Sequence, residues 1–130
     1  MAMRFEDLEV WKVSARLASD LYKATRELKD WGFRDQLTRA GLSISSNIAE
    51  GFDRESHLDC IKFLVYAKSS AAEVRSQLYI GMDIGFIEKQ AGREWIQQTE
   101  RIAAMLTALI KKKREFASQT GEQPATYETT

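Results

Sequence analysis

The chain has 130 residues, 44% hydrophobic and 29% charged, which suits one soluble globular domain with a real core. Basic and acidic residues balance at 19 each, eight against eight before Gly51 and eleven against eleven from there on. A protein that lives on a phosphate backbone carries a basic excess, so any positive patch here must be made by arrangement. The single cysteine, Cys60, excludes an internal disulfide and fits a reducing compartment. No apolar run approaches the ~20 residues of a membrane span. The start, MAMRFEDLEVWK, has no hydrophobic signal core. The expectation is a cytoplasmic protein with no membrane contact. One proline, Pro124, and few glycines outside joints leave long segments that must be helices, because no period-2 alternation persists.

Helix 1 is expected from about Glu6 to about Leu28, with acids at its positive end. It carries two apolar seams. Leu8, Trp11, Ala15, Ala18, Tyr22 and Thr25 form one, and Val10, Leu17, Leu21, Ala24 and Leu28 the other. A helix apolar on two sides is buried on two sides. Asp30 stands as an N-cap and Gly32 allows the first turn.

Helix 2 is expected over Phe33 to Gly51, with Gly51 as its stop. Phe33, Leu37, Ala40, Ile44, Ile48 and Gly51 make its apolar face. Beside them run Gln36, Arg39, Ser43, Ser46, Asn47 and Glu50. A polar row against an apolar row needs partners, since an unpaired buried polar group costs about 1–3 kcal/mol.

Helix 3 is expected over His57 to Asp83, capped by Ser56 with Asp59 in the capping-box position. Cys60, Leu64, Ala67, Ala71, Val74 and Leu78 form its inward seam. Leu58, Ile61, Val65, Ala72, Tyr79 and Met82 form a second, interrupted by Lys68 and Arg75. Between the seams Tyr66, Ser70, Glu73 and Gln77 offer partners to helix 2, with Arg39–Glu73 and Asn47–Ser70 as the expected pairs.

Gly85 ends helix 3, and helix 4 is expected over Glu88 to Phe116, with a core seam of Trp95, Thr99, Ile102, Leu106, Leu109 and Phe116. Ile96, Ala103 and Ile110 widen it. The bundle thus spans residues 1–116, and residues 117–130 are expected to be a disordered polar tail. Four long helices with short joints predict an all-α, antiparallel up-down bundle. The second seams on helices 1 and 3 predict contact with further copies of the chain, with Val10, Leu17, Leu21, Ile61, Val65 and Tyr79 as interface residues.

The pattern does not point to catalysis. His57 and Cys60 sit one turn apart, but a structural zinc needs four ligands and there is no other His or Cys. A di-metal bundle needs two Glu-x-x-His motifs. No strained nucleophile turn accompanies His57. No metal, cofactor or small-molecule substrate is expected. The row of Gln36, Arg39, Ser43, Asn47 and Glu50, with Ser70 and Glu73, reads as a register-fixing network, or alternatively as a polar pocket at the bundle mouth. Two cationic features could meet nucleic acid. Lys12, Arg16, Lys23 and Arg26 line up along helix 1, with Asp20 and Glu27 near enough to neutralise part of the stripe. Lys111, Lys112, Lys113 and Arg114 close helix 4, though adjacent helical residues point in four directions.

The run RAGLSISSNIAEGF carries a family likeness. Its Ser-Ile-x-x-Asn-Ile-Ala-Glu-Gly core is specific. Phe5, Asp7, Leu8, Val10, Trp11, Gly32, Gln36, Leu37, Arg39 and Ala40 match before or at its start, and Phe63, Leu64, Ala67, Ser70 and Glu73 after it. Over roughly Phe5 to Lys113 the chain resembles the four-helix-bundle proteins encoded in intervening sequences of large-subunit ribosomal RNA genes. Ser69 stands where that family often has glycine, which implies a slightly wider approach of helices 2 and 3, and the family's proline in the first joint is absent. The resemblance implies a homopentamer, a homo-oligomeric ring, which agrees with the doubled seams on helices 1 and 3. Relatives of this type act as accessory proteins of diversity-generating reverse transcriptases, as strongly basic rings that bind nucleic acid, whereas this chain is neutral. The expected role is a non-enzymatic pentamer that binds structured RNA or a ribonucleoprotein. The alternative is a protein scaffold with no nucleic-acid contact.

Overall fold

The computed structural model describes residues 4–123; the lead-in and the last seven residues of the expected tail lie outside the described residues. After a short 3-10 turn, Phe5–Asp7, come four helices: α1 (Glu9–Ala24), α2 (Trp31–Phe52), α3 (His57–Asp83) and α4 (Lys89–Gln119), with no strand among the described residues. Chain neighbours are neighbours in space, α1 closes against α4 more lightly, and the diagonal pairs α1/α3 and α2/α4 make no close backbone approach among the described residues. Each pairing runs antiparallel. Ser43 meets Ser70 near mid-helix and Gly51 meets Cys60 at the joint. Gly92 packs against Met82, and Glu9 of α1 faces Arg101 of α4.

The core is where the periodicity puts it on α2 and α3. Leu37, Ile44 and Ile48 face Leu64, Ala67, Val74 and Leu78, all without exposed surface, and Ile102 and Leu106 close the far side. Each large side chain so buried contributes about 1.5–3 kcal/mol before entropy is counted.

The helix ends follow their caps. Asp30 accepts the Phe33 N–H at 3.0 Å, so α2 starts at Trp31, two residues earlier than its apolar face suggests. Ser56 accepts the Asp59 N–H at 3.0 Å and starts α3 as expected. The chain leaves α3 through a Schellman turn: Gly85 has φ +80°, and the N–H groups of Phe86 and Gly85 reach the carbonyls of Gly81 and Met82. Gly51 is not a stop. It lies inside α2, buried, where a Cβ would stand 3.1 Å from the Cys60 carbonyl oxygen and 3.2 Å from Phe63 Cβ. Its missing side chain lets two helices touch.

Three expectations are corrected. First, α1 ends at Ala24, four residues early; the Thr25 hydroxyl donates to the Leu21 carbonyl and is buried. Second, Val10, Leu17, Leu21 and Ile61 are core residues of this chain, leaving only Val65 and Tyr79 of the interface set on the surface. Ser14, buried between Val10 and Leu17, gives its hydroxyl to the Val10 carbonyl, so a polar residue hides in the seam that was assigned outward. Third, α4 continues to Gln119, and Ala117 is buried. A second Schellman turn follows at Gly121 (φ +71°), and it carries Glu122 to the start of α3. There the carboxylate accepts the His57 and Leu58 N–H groups at 3.1 and 3.2 Å. With the Ser56 side chain taking Asp59 N–H and the Ser56 carbonyl taking Cys60 N–H, all four opening donors of α3 are satisfied.

Candidate functional site

The polar row of α2 meets α3 through one contact. The hydroxyls of Ser43 and Ser70 are 2.9 Å apart, and Asn47 Nδ2 donates to both the Ser43 hydroxyl (2.9 Å) and its carbonyl (2.8 Å). All three residues are half-buried. Asn47 and Ser70 are thus joined through Ser43 rather than directly. The expected Arg39–Glu73 pair does not form: Arg39 binds Asp35 one turn back at 3.0 Å. Glu50 binds Arg54 at 2.9 Å, and Gln36, Glu50 and Glu73 are exposed. The row is therefore a short interhelical link with a solvated margin, not a pocket. Ser69 is exposed beside it, and the direct Ser43–Ser70 contact leaves no widened gap at this level.

The α1 stripe is solvated. Lys12, Arg16, Lys23 and Arg26 are all exposed and none has a carboxylate within 4 Å among the described residues. Lys12 and Arg16 line a cleft of about 370 Å³ between α1 and α4, shared with Glu9, Asp20, Glu94, Trp95 and Gln98. Gln98 Oε1 is buried there without a hydrogen-bond partner, as is Gln77 Oε1 of the α3 polar row. Lys23 and Arg26 border a separate groove of about 470 Å³ between α1 and α2, floored by Ala15 and Ala18 and flanked by Trp11, Tyr22 and Leu42.

The basic run of α4 divides. Lys113 folds inward, its Nζ 4.8 Å from the Phe52 ring centre and 3.5 Å from His57 Nδ1. Lys112 borders an apolar hollow between the start of α1 and the end of α4. Lys111 and Arg114 are exposed. His57 stacks on Phe116 at 5.5 Å, and Cys60 is buried, which pushes its thiol pKa up despite the opposing Lys113 charge. Among the described residues no three His, Cys, Asp or Glu side chains converge as a metal-binding group. No helix of the described residues is long and apolar enough to cross a membrane.

Two features escaped the sequence reading. Glu122 is one; Gly121 was its signal, a glycine followed by an acid just past a helix end. The other is the α3/α4 groove. Lys68 and Arg75 do more than interrupt an apolar seam: they stand exposed on the groove's rim.

The sequence profile of the 23S rRNA-intervening sequence protein family matches residues 6–108. Among solved structures, the chain is similar to a protein of unknown function from the S23 ribosomal protein family of Bacteroides thetaiotaomicron VPI-5482. The two share 26% identity with a TM-score of 0.73, over 78% of this chain and 98% of that one. No curated protein matches this chain. The matched span holds the Ser43–Asn47–Ser70 link, α1 to α3 whole and α4 as far as Ala108, and the chain belongs to the 23S rRNA-intervening sequence protein family.

Proposed function

We propose that this chain is a non-enzymatic up-down bundle that assembles as a cytoplasmic homopentamer and contacts structured RNA or a ribonucleoprotein. The observation that carries it is the apolar surplus of α3. Tyr66, Ile80 and Ile84 are 47%, 53% and 49% exposed along one edge of α3 and its C-terminal end. Surface of this kind marks an interaction site. On α3 the spacing sets Tyr66, Ile80 and Ile84 along one edge. Across the molecule, the α1/α2 groove offers exposed Leu42 and Tyr22. Two different apolar faces on one chain suit a head-to-tail contact, which closes into a ring when the rotation permits. The family's name, taken from 23S rRNA intervening sequences, and the S23 ribosomal protein family of the structural relative support an RNA context. A ring would repeat each cationic group around its axis, raising the local field above what a neutral chain suggests.

Sedimentation at micromolar concentration tests the assembly: a single species several times the 14.9 kDa chain mass is expected, and a monomer overturns it. A salt-sensitive shift of labelled structured RNA at low micromolar protein tests the contact, and no shift at low salt removes it. The scaffold reading draws on the same apolar surface; a protein partner that survives nuclease treatment, with no RNA shift, would favour it.

A further inference from the structure

The groove between α3 and α4 holds four cations with no carboxylate three or four residues away in their own helices. An acid three or four residues from a lysine or arginine on a helix offsets its charge locally. The α1 stripe fits that description: Glu9 lies three residues before Lys12, Asp20 four after Arg16, and Asp20 and Glu27 flank Lys23. Lys68, Arg75, Lys89 and Arg93 do not. Positions three and four residues to either side of each hold no Asp or Glu, and Lys89 and Arg93 are themselves four apart, a repulsive arrangement. All four are exposed and none has an ion-pair partner within 4 Å among the described residues.

The fold brings them to one place. Lys68 and Arg75 border a depression of about 200 Å³ whose floor is Ala71, Ala72, Thr99 and Ala103. Further along the same helix pair, Lys89 and Arg93 border a second of about 270 Å³, with Tyr79 and Met82. Small side chains make the floor shallow, long cations make the rim, and Tyr79 is 56% exposed among them. Asp83 lies in the second depression, and Glu100, seven residues past Arg93, shares its face of α4; four cations against two acids leave the groove positive.

We propose that this groove is the track of a single RNA strand, with phosphates on Lys68, Arg75, Lys89 and Arg93 and one unstacked base on the Tyr79 ring. It rests on the RNA reading above and moves the contact from the α1 stripe to α3 and α4. One narrow trough matches a single strand; a duplex presents two phosphate rows and no free base face. Tyr79 then belongs to the RNA track, while Tyr66, Ile80 and Ile84 serve assembly from the other edge of α3.

The test is fluorescence anisotropy with 5′-fluorescein-labelled oligouridylate and the full chain, across a salt series. The triple variant Lys68→Gln, Arg75→Gln, Arg93→Gln is expected to bind at least about tenfold more weakly at low salt, with the log–log salt slope reduced by about 2, at ~0.7 per lost contact on a single strand. Tyr79→Ala should weaken binding about fivefold or more, and Tyr79→Phe should restore it. A charge-matched variant elsewhere, Lys29→Gln, Arg34→Gln, Arg54→Gln, should stay within about twofold. Thermal melts monitored by circular dichroism report whether each variant is folded. If wild type binds and the groove triple binds equally well, the track is wrong and the RNA reading stands. If wild type binds structured RNA but not oligouridylate at low salt, the track falls alone; if it binds neither, both fall. Equal or tighter binding of duplex RNA, or no effect of Tyr79→Ala, overturns the single-strand assignment.

Discussion

The Ser43–Ser70 link makes a quantitative claim about how α2 and α3 are tied. The two hydroxyls are 2.9 Å apart, and Ser43 is also the acceptor of Asn47 Nδ2. Ser43→Ala removes both side-chain bonds, but Asn47 keeps the Ser43 carbonyl at 2.8 Å and water can reach these half-buried groups. A net bond of this type is worth about 0.5–1.5 kcal/mol. Ser43→Ala should therefore cost about 1–1.5 kcal/mol, Ser70→Ala about 1, and the double variant no more than Ser43→Ala alone. The coupling is then about 1 kcal/mol. The assay is urea unfolding followed by circular dichroism at 222 nm, at one fixed chain concentration because the proposed assembly would shift apparent stability. A parallel cycle of Ser43→Ala with Glu73→Ala should add within about 0.3 kcal/mol, since those side chains share no bond. If Ser43 and Ser70 also add, the hydroxyls do not hold the helices together and the link is incidental.

Other consequences follow from single positions. Glu122 is partly desolvated, which raises its pKa, but the Leu58 and His57 N–H groups, the His57 charge and the Thr120 hydroxyl outweigh this and hold it below the ordinary carboxylate value of 4.5. A depressed folded pKa means stability present above pH 4.5 and lost as pH falls through the folded value. Wild type should thus lose more melting temperature between pH 5 and pH 3 than Glu122→Gln does, and equal losses would show that the carboxylate is not bound to α3. Gly51→Ala gains helix propensity of about 0.5–1 kcal/mol but sets a methyl 3.1 Å from the Cys60 carbonyl of a packed helix. Overpacking of this kind costs about 1–3 kcal/mol, so a lower urea midpoint is expected and a higher one would refute the close approach. Cys60, buried and with a raised thiol pKa, should react with an aromatic disulfide reagent at pH 8 only as fast as the chain opens, and at once in urea. Immediate reaction of the folded protein would contradict its burial.

What could be read from the sequence divides along physical lines. The inward seam of α3 from Cys60 to Leu78 was legible in full, because strict four-three spacing of small and medium residues has one solution. The caps Asp30 and Ser56 were legible because a side-chain oxygen before a helix has one use. Helix 1 misled because its two seams are nearly equal in apolar content, and the buried Ser14 hides within the inner one. Its hydroxyl is satisfied by its own helix, an option invisible to a count of apolar residues. The polar row was legible as a row but not as pairs: Arg39 had Asp35 one turn away, and a local ion pair needs no second helix. The end of α4 was misread because composition marks a polar stretch, not whether it is ordered, and Gly121 with Glu122 turns that stretch back onto α3.

The burial pattern also settles which helix carries the surplus. With Val10, Leu17 and Leu21 inside, the apolar face of α1 is largely used within the chain, and Tyr22 is its exposed remainder. On α3 the core seam takes one side only, and the remaining arc is neither uniformly apolar nor uniformly charged. One edge holds Tyr66, Ile80 and Ile84; the other holds Lys68, Arg75 and Tyr79. Burying the second edge in a protein contact would desolvate two unpaired cations, at several kcal/mol each unless a partner supplied carboxylates. Burying the first edge covers one charge of each sign, Lys62 and Glu73, rather than two like cations. The division therefore has a direction: copies of the chain should meet on the Tyr66 edge, and Ile80→Asp should weaken assembly in sedimentation while Arg75→Gln should not. Loss of the oligomer in Arg75→Gln would place the cationic edge inside the ring and close the groove to any strand.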